Sequence, residues 1–205
     1  MTFRDLTFVL GGARSGKSLY AEQLANRSGL PVTYIATARV TEDAEFAERI
    51  ALHRERRPAH WQLHEAGVEL ADVIAQLDAP GHCLLIDCLT LWLANLLCPA
   101  GGEALPLGRY RACHIALETA LGNARGKIIV VSNEIGLGVV PLGAATRQYV
   151  DELGRLNQRI AALSTAATMM VAGLPLALKI PDHAIHAIHP TQPAQAAGPT
   201  DAGRP

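Results

Sequence analysis

Apolar runs recur along the chain, each separated from the next by a longer segment of mixed polarity. They are Leu6–Leu10, Pro31–Ala36, Cys83–Ile86, Lys127–Val131 and Thr168–Val171. Short uninterrupted runs of this kind, without a polar residue at every second position, are typical of strands buried on both faces. The pattern therefore predicts a sheet inside the protein.

The segments between these runs have the length and composition of helices. They are Glu42–Arg57, Gly67–Leu77, Leu89–Leu97, Gly108–Gly122 and Thr146–Leu163. Strands that alternate with helices indicate an α/β fold with a mostly parallel sheet flanked by helices. After the short AGLP link, Leu176–Ile180 is expected to add an antiparallel edge strand.

Length and composition favour a single domain. The chain has 205 residues, of which 49% are apolar, and we expect residues 1–180 to form one nucleotide-binding unit. From Pro181 the chain becomes rich in Pro, Ala and Gly, so residues 181–205 are expected to form a flexible tail. His183, His186 and His189 lie there at intervals of three, but an extended tail offers a metal little preorganisation.

Charge and hydropathy narrow the classes of partner. The formal net charge of -1 provides no general attraction to nucleic acid or to anionic membranes. No apolar stretch reaches the roughly 18 residues that a membrane helix needs, and the first residues do not resemble a secretion signal. We therefore expect a cytoplasmic protein with a small-molecule ligand.

The four cysteines are Cys83, Cys88, Cys98 and Cys113. No two of them form a CxxC pair, and all are expected to be buried apolar residues.

The first run leads directly into GGARSGKS, which matches the phosphate-loop pattern GxxxxGK[ST]. Glycines let the backbone wrap around phosphates with its N–H groups pointing inward, and the lysine neutralises the outer phosphates. The terminal hydroxyl is a ligand for Mg²⁺. We expect the whole loop to bind a nucleoside triphosphate with Mg²⁺: Gly11, Gly12, Ala13, Arg14, Ser15, Gly16, Lys17 and Ser18.

A second metal ligand is expected at the end of a neighbouring strand. Asp87 closes the run Leu84–Ile86, and a carboxylate there can hold Mg²⁺ or its water opposite the hydroxyl of Ser18. The alternative is that Asp87 caps the following helix, and both roles are compatible at a strand end.

The predicted helix Glu42–Arg57 concentrates charge and carries His53 on the same face as Phe46 and Ile50. One interpretation is a packed histidine with a backbone partner. The other is a nucleophile, because a neutral imidazole can attack the α-phosphorus of a triphosphate while nearby guanidinium groups balance the developing charge. The residues alone leave both interpretations open.

Several further motifs occur in a fixed order along the chain. They are YIATA, DAEFAERIALHRERRPAHW, LLIDCLTLWLANLL, VSNEIGLGVVP and GRLNQRIA, all after GGARSGKS. Together they resemble the bifunctional cobinamide kinase and cobinamide-phosphate guanylyltransferase family of cobalamin biosynthesis, over roughly Leu6 to Ile180. The resemblance implies a P-loop NTPase-like (RecA-like) fold. It also implies phosphorylation of adenosylcobinamide by ATP or GTP, followed by transfer of GMP from GTP to adenosylcobinamide phosphate.

The resemblance also implies roles for particular residues. His53 matches the histidine that is guanylylated, in the stretch RIxxH; some family members carry a second histidine just before it, where Leu52 stands here. The residues expected to contact the guanine nucleotide are Thr37, Ala38, Arg39, Arg54, Glu55, Arg56, Arg57 and Glu65. Family enzymes form homotrimers, so a homotrimer is expected. The chemistry would require Lys17 and His53 as catalytic residues, with the helix bringing His53 to the triphosphate.

Two alternatives remain at this stage. A plain small-molecule kinase would use the same loop with His53 in a structural role. A regulatory NTP-binding switch would bind nucleotide without any small acceptor. Asn133 and Glu134 follow the run Lys127–Val131, and we expect them to face the same site, since open α/β sheets bind ligands at the carboxyl ends of their strands.

Overall fold

The structure, a computed structural model, describes residues 5–38, 48, 51, 57–97 and 105–181. Within these residues the chain forms one sheet of seven strands, in the spatial order β3-β2-β4-β5-β1-β6-β7. The strands are β1 Asp5–Gly11, β2 Val32–Ala36, β3 Gln62–Glu65, β4 Cys83–Asp87, β5 Lys127–Asn133, β6 Ala166–Val171 and β7 Leu174–Lys179. All neighbours pair in parallel except β6 and β7, which are antiparallel. The expected mostly parallel P-loop NTPase-like (RecA-like) sheet with an antiparallel edge strand is confirmed.

Helices connect the parallel strands. They are α1 Lys17–Arg27, α2 Leu70–Leu77, α3 Leu89–Leu97, α4 Leu107–Gly122 and α5 Ala144–Leu163. Helices α2 to α5 begin and end within a few residues of the positions that the sequence pattern predicts. Parallel strands are joined by crossovers of a dozen or more residues, which run back over a face of the sheet. The helices in these crossovers therefore cover the faces of the sheet.

Two apolar cores lie on opposite faces of the sheet. Leu84 and Ile86 of β4 belong to the core beneath α2, α3, α4 and α5, whereas Cys83 and Leu85 of the same strand belong to the core beneath α1. Alternate side chains of a strand point to opposite faces, so a continuous apolar run is required when both faces are covered. This arrangement explains why the strands appear in the sequence as unbroken apolar runs.

One strand is absent from the sequence prediction. Strand β3 has the sequence QLHE and pairs in parallel with β2 at the edge of the sheet. Three of its four side chains are exposed, so it contains no apolar run that would mark it as a strand. The pairing with β2 supplies its backbone hydrogen bonds, and this tertiary contact makes it a strand.

The structure leaves some predictions outside the residues it describes. Of the expected helix Glu42–Arg57, Glu48 and Ala51 are described and are helical, and Arg57 is described outside any helix. Cys98 and the expected tail from residue 182 onward are outside the described ranges. Among the described cysteines, Cys83 and Cys88 are buried and Cys113 is partly buried, and all three are free thiols. No helix among the described residues is long and apolar enough to cross a membrane.

A buried histidine stands out in the larger core. The ring of His114, on α4, lies between those of Trp92 and Tyr110, with ring centroids at 5.2 and 4.5 Å. Its side chain is 3% exposed, and neither ring nitrogen has a hydrogen-bond partner within the described part of the chain. Burial, helped by the charge of Arg159, lowers the pKa of His114, because the charged form is poorly solvated there.

Candidate active site

The phosphate loop connects the carboxyl end of β1 to the first residue of α1. Arg14 and Gly16 both adopt positive φ angles, 56° and 90°, which curl the backbone between strand and helix. Gly11 has no room for a side chain, since a Cβ there would overlap the hydroxyl of Ser15 and lie 2.9 Å from the carbonyl oxygen of Met170. The GxxxxGKS pattern thus folds as a tight loop at the N-terminus of a helix, where N–H groups and the helix dipole favour anions.

Lys17 and Ser18 open helix α1. The Nζ atom of Lys17 donates a hydrogen bond of 3.1 Å to the carbonyl oxygen of Gly12, so the ammonium group folds back over the loop. Ser18 is partly exposed in the first turn of the helix, and Ala13 and Arg14 are exposed at the outer part of the loop. This places a cation, a hydroxyl and the loop backbone around one position at the helix N-terminus.

A row of residues crosses the sheet at its carboxyl edge. Ala36 of β2 lies opposite Glu65 of β3 on one side and opposite Asp87 of β4 on the other. Asp87 lies opposite Val131 of β5, and Val131 in turn lies opposite Val9 of β1. With strands about 4.8 Å apart, Asp87 lies about 10 Å from β1. Glu65 lies about 19 Å from β1 by the same spacing. The candidate site therefore extends from the phosphate loop across the sheet to β3.

Asp87 is held by a buried tyrosine. The hydroxyl of Tyr34 donates a hydrogen bond of 3.0 Å to Oδ2 of Asp87, and the guanidinium carbon of Arg57 lies 3.8 Å from the centre of the Tyr34 ring. Burial, followed by the charge of Asp87, raises the pKa of Tyr34 well above its usual value, so the phenol stays protonated and remains a donor. Tyr34 thus joins Asp87 to Arg57, which follows the segment that carries His53.

Thr37, a predicted nucleotide contact, is buried just after the end of β2 and is already hydrogen-bonded within the protein. Its side chain is fully buried, and its hydroxyl donates to the carbonyl oxygen of Cys88 at 2.6 Å and accepts from the Cys88 N–H at 2.9 Å. Its own carbonyl oxygen accepts a hydrogen bond from Nδ2 of Asn95. These bonds fasten the end of β2 to the start of the connection that follows Asp87. A nucleotide contact by Thr37 stays a prediction, and it would have to share or replace these bonds.

Strand β5 brings polar groups between Asp87 and the loop. The N–H of Asn133 donates to the hydroxyl of Thr90 at 2.8 Å, and its carbonyl oxygen accepts from Nδ2 of Asn157 at 3.0 Å. The N–H of Glu134 donates to the carbonyl oxygen of Gly11 in the phosphate loop at 3.1 Å. The buried Oδ1 of Asn133 has no hydrogen-bond partner among the described residues. Asn133 and Glu134 therefore lie beside the loop, as the sequence predicts.

The donor set at this edge suits Mg²⁺ bound together with phosphate. Magnesium in phosphoryl-transfer sites usually keeps several waters and takes one or two protein oxygens plus phosphate oxygens. Ser18, in the first turn of α1, offers one hydroxyl, and Asp87, at the carboxyl end of β4, offers one carboxylate. The described residues contain no group of three or more His, Cys, Asp or Glu able to hold a metal by themselves. The residues present fit a cation that needs the nucleotide's phosphates to complete its coordination.

The structure brings together only part of the predicted set. The loop residues, Asp87, Ala38, Arg57 and Glu65 lie along the same edge of the sheet. Arg39, His53, Arg54, Glu55 and Arg56 lie outside the described residues, and their roles stay predictions. Sequence reasoning did not single out Tyr34, Thr90 or Asn157, because a tyrosine within an apolar strand and polar residues within helices carry no pattern specific to a site.

Comparisons with known proteins find relatives over most of the chain. A family model described as cobinamide kinase / cobinamide phosphate guanyltransferase matches residues 7–178. The bifunctional adenosylcobalamin biosynthesis protein CobP of Pseudomonas aeruginosa is 53% identical over 176 residues, covering 86% of this chain and 97% of the relative. The bifunctional adenosylcobalamin biosynthesis protein CobU of Salmonella typhimurium is 37% identical over 182 residues, covering 85% of this chain and 99% of the relative.

A solved structure from Pyrococcus horikoshii superimposes with a TM-score of 0.50 at 10% identity, covering 87% of this chain and 89% of that one. At this identity the likeness concerns the fold alone. The family match extends over the phosphate loop, the row of residues at the carboxyl edge and the antiparallel edge strand. The chain therefore belongs to the family of cobinamide kinases / cobinamide phosphate guanyltransferases.

Proposed function

We propose that the protein carries out two successive transfers in cobalamin biosynthesis. It phosphorylates adenosylcobinamide with ATP or GTP, and it then transfers GMP from GTP to adenosylcobinamide phosphate to give adenosylcobinamide-GDP. Family membership over residues 7–178 supports both activities. The observation that carries the proposal is the joint presence of a folded phosphate loop and Asp87 on one sheet edge, with Arg57 stacked on Tyr34 beside Asp87.

In the first transfer, the phosphate loop would hold the triphosphate through its N–H groups and the N-terminus of α1. Lys17 would neutralise the outer phosphates, which develop charge as the γ-phosphoryl group leaves. Ser18 and Asp87 would hold Mg²⁺, which supplies charge neutralisation at the phosphate oxygens. Tyr34 would orient the carboxylate of Asp87 through its 3.0 Å hydrogen bond.

In the second transfer, a neutral imidazole of His53 would attack the α-phosphorus of GTP and release pyrophosphate. The resulting phosphoramidate would pass GMP to the phosphate of adenosylcobinamide phosphate, which restores the free histidine. Arg57 follows His53 closely in the sequence, and its guanidinium lies against Tyr34 in the candidate site. This supports placing the segment next to Asp87. The remaining predicted guanine-nucleotide contacts are Thr37, Ala38, Arg39, Arg54, Glu55, Arg56 and Glu65.

A labelling experiment tests the covalent step. Wild-type protein is incubated with GTP labelled at the α-phosphate, denatured, and assayed for bound label that is acid-labile and stable to alkali. We expect label on wild type, none on His53→Ala, and normal labelling of His60→Ala, since His60 is an exposed histidine near the same segment. Adding cobinamide phosphate should remove the label from wild type.

The same variants distinguish the alternatives. Transfer of the γ-phosphate to cobinamide should persist in His53→Ala, because the kinase step does not need the histidine. A wild-type protein that phosphorylates cobinamide without retaining α-label would be a plain kinase. A protein that hydrolyses GTP with no transfer to either corrinoid would be a nucleotide-dependent switch instead.

We also propose that the protein assembles as a homotrimer, as the family resemblance implies. All six residues of β7 are exposed, and Leu174, Leu176 and Leu178 occupy alternate positions along this edge strand. Exposed apolar edge strands are usually covered in soluble proteins. Analytical ultracentrifugation of the full chain measures the mass of the assembly, and a monomer at micromolar concentration would contradict the proposal.

A further inference from the structure

The turn between β6 and β7 lies directly against the phosphate loop. The N–H of Gly173 donates a hydrogen bond of 3.1 Å to the carbonyl oxygen of Ser15. A Cβ placed on Gly16 would lie 3.4 Å from the Cα of Gly173, so the two backbones nearly touch. The contact joins residues that are far apart in the sequence, and it is made by main-chain atoms.

The two residues of this turn have an unusual backbone. Ala172 and Gly173 have φ angles of 52° and 81°, both in the left-handed region. Two successive residues of this kind are typical of the tight type I′ turn that joins antiparallel strands. The flanking residues Val171 and Leu174 are paired with each other, so the turn is closed by the β6–β7 ladder.

Strand β6 fixes the turn relative to the loop. It pairs in parallel with β1, with Met170 opposite Gly11, the first residue of the phosphate loop. The chain therefore leaves β6 beside the phosphate loop, and the turn that reverses it into β7 lies next to that loop. The turn contacts the loop through the backbone carbonyl of Ser15, which accepts the hydrogen bond from Gly173. The side-chain hydroxyl of Ser15 is buried and has no hydrogen-bond partner among the described residues.

The hydrogen bond controls the orientation of one peptide group. In a trans peptide the C=O of residue i and the N–H of residue i+1 point in opposite directions. When the Ser15 carbonyl points at Gly173, the N–H of Gly16 must point away from the turn. An N–H at this position of a phosphate loop is one of the donors that surround the phosphates.

We propose that the Ala172–Gly173 turn is a positioning element for nucleotide binding. By holding the Ser15 carbonyl, it keeps the Gly16 N–H directed at the phosphates before the nucleotide arrives, so less ordering is needed on binding. The inference rests on the proposed role of the phosphate loop. It extends that role to a distant segment, since Gly173 and Ser15, which share the hydrogen bond, are about 160 residues apart in the sequence. Both transfers use a nucleotide, so the turn serves both.

The chain offers a matched control for this proposal. Gly81 has a φ angle of 74°, close to that of Gly173, and neither glycine has an atom within 4 Å of an added Cβ. Gly81 precedes β4, at the end of the sheet opposite to the phosphate loop. A valine at either position forces a β-branched residue into the left-handed region, which imposes a similar backbone strain. Of these two glycines, only Gly173 is hydrogen-bonded to the phosphate loop, so only a valine there should displace the Ser15 carbonyl.

The test measures the dissociation constant of GTP by calorimetry in the full chain, with chemical denaturation as a control for folding. Binding of GTP by wild type first tests the role of the loop itself. We then expect Gly173→Val to bind GTP about ten-fold more weakly, the effect of losing one hydrogen bond to a charged group. Gly81→Val should lose comparable stability and keep wild-type affinity.

A third variant covers the case in which Gly173→Val does not fold. Asparagine tolerates the left-handed region and keeps the backbone N–H, so Gly173→Asn should bind GTP as wild type does. Equal GTP affinity in folded Gly173→Val and Gly81→Val would overturn the proposal, even if wild type binds GTP normally. Weak binding by Gly173→Asn with wild-type stability would also overturn it, since the turn would then be intact.

Discussion

The hydrogen bond from Tyr34 to Asp87 gives the sharpest test of the proposed metal site. Tyr34→Phe removes one oxygen atom and leaves the ring in place beneath the guanidinium of Arg57. The chain contains a second buried tyrosine with the same chemistry at a different place. Tyr110, on α4, donates to Oε2 of Glu152, on α5, at 2.6 Å. Tyr110→Phe therefore serves as a matched control.

The expected cost in stability follows from the acceptor and its exposure. A hydrogen bond to a charged acceptor contributes about 1.5–3 kcal/mol. Asp87 is partly exposed and water can replace the lost donor, so we expect Tyr34→Phe to lower the free energy of unfolding by about 1.5 kcal/mol. Glu152 keeps its contact with Arg155, so Tyr110→Phe should cost a similar amount. Burial raises the pKa of both phenols, so both donate throughout the neutral range.

The two variants should differ in their dependence on Mg²⁺. Removing a residue that orients a metal ligand typically weakens metal affinity ten-fold or more. We expect Tyr34→Phe to need about ten-fold more Mg²⁺ for half-maximal GTP binding, and Tyr110→Phe to need the wild-type concentration. Calorimetric titration of GTP at a series of Mg²⁺ concentrations measures this, together with urea denaturation of the ligand-free proteins.

Equal Mg²⁺ dependence in the two variants would refute the reasoning. Asp87 would then act only as a structural partner of Tyr34, and the cation would have to be held by other groups. A large loss of stability confined to Tyr34→Phe would contradict the estimate for the hydrogen bond, since the two tyrosines would no longer be comparable.

Two further predictions concern stability. Asp78 accepts hydrogen bonds of 2.8 Å from the backbone N–H groups of Arg125 and Gly126, so Asp78→Ala should lower the free energy of unfolding by about 3 kcal/mol in urea denaturation; a loss below about 1 kcal/mol would contradict this account. Burial lowers the pKa of His114, so the unfolded chain binds a proton more readily, and stability should fall as the pH drops below about 6.5. The loss of stability is at most about 1.4 kcal/mol per pH unit. His114→Phe should remove this loss when the free energy of unfolding is measured against pH. An unchanged pH profile would show that His114 is not the source of the loss.

Much of the fold could be predicted because its main strands are buried on both faces. Such strands need a continuous apolar run, and the loop GGARSGKS needs its glycines, so both leave a mark in the sequence. Strand β3 leaves no such mark, since its register opposite β2 is set by pairing at the edge of the sheet. The positions of its ends follow from that contact.

The candidate site divides in the same way. The places of Lys17, Ser18 and Asp87 after their strands could be read from the sequence, because the chemistry of phosphate and Mg²⁺ calls for those residue types there; their roles stay predictions. Tyr34 could not, because a tyrosine in an apolar strand is a common core residue. Its partnership with Asp87 depends on β2 and β4 lying side by side.

The sequence by itself determined that the chain has alternating strands and helices and a loop shaped for phosphate, because these depend on local periodicity and on residue types within a few positions. Only the tertiary structure decided which strand ends meet and which distant backbone holds the loop. The contact of Gly173 with Ser15 illustrates this, since two main-chain atoms form it and no side-chain pattern records it. Contacts between distant main-chain atoms follow from strand order and register, which arise when the whole sheet packs.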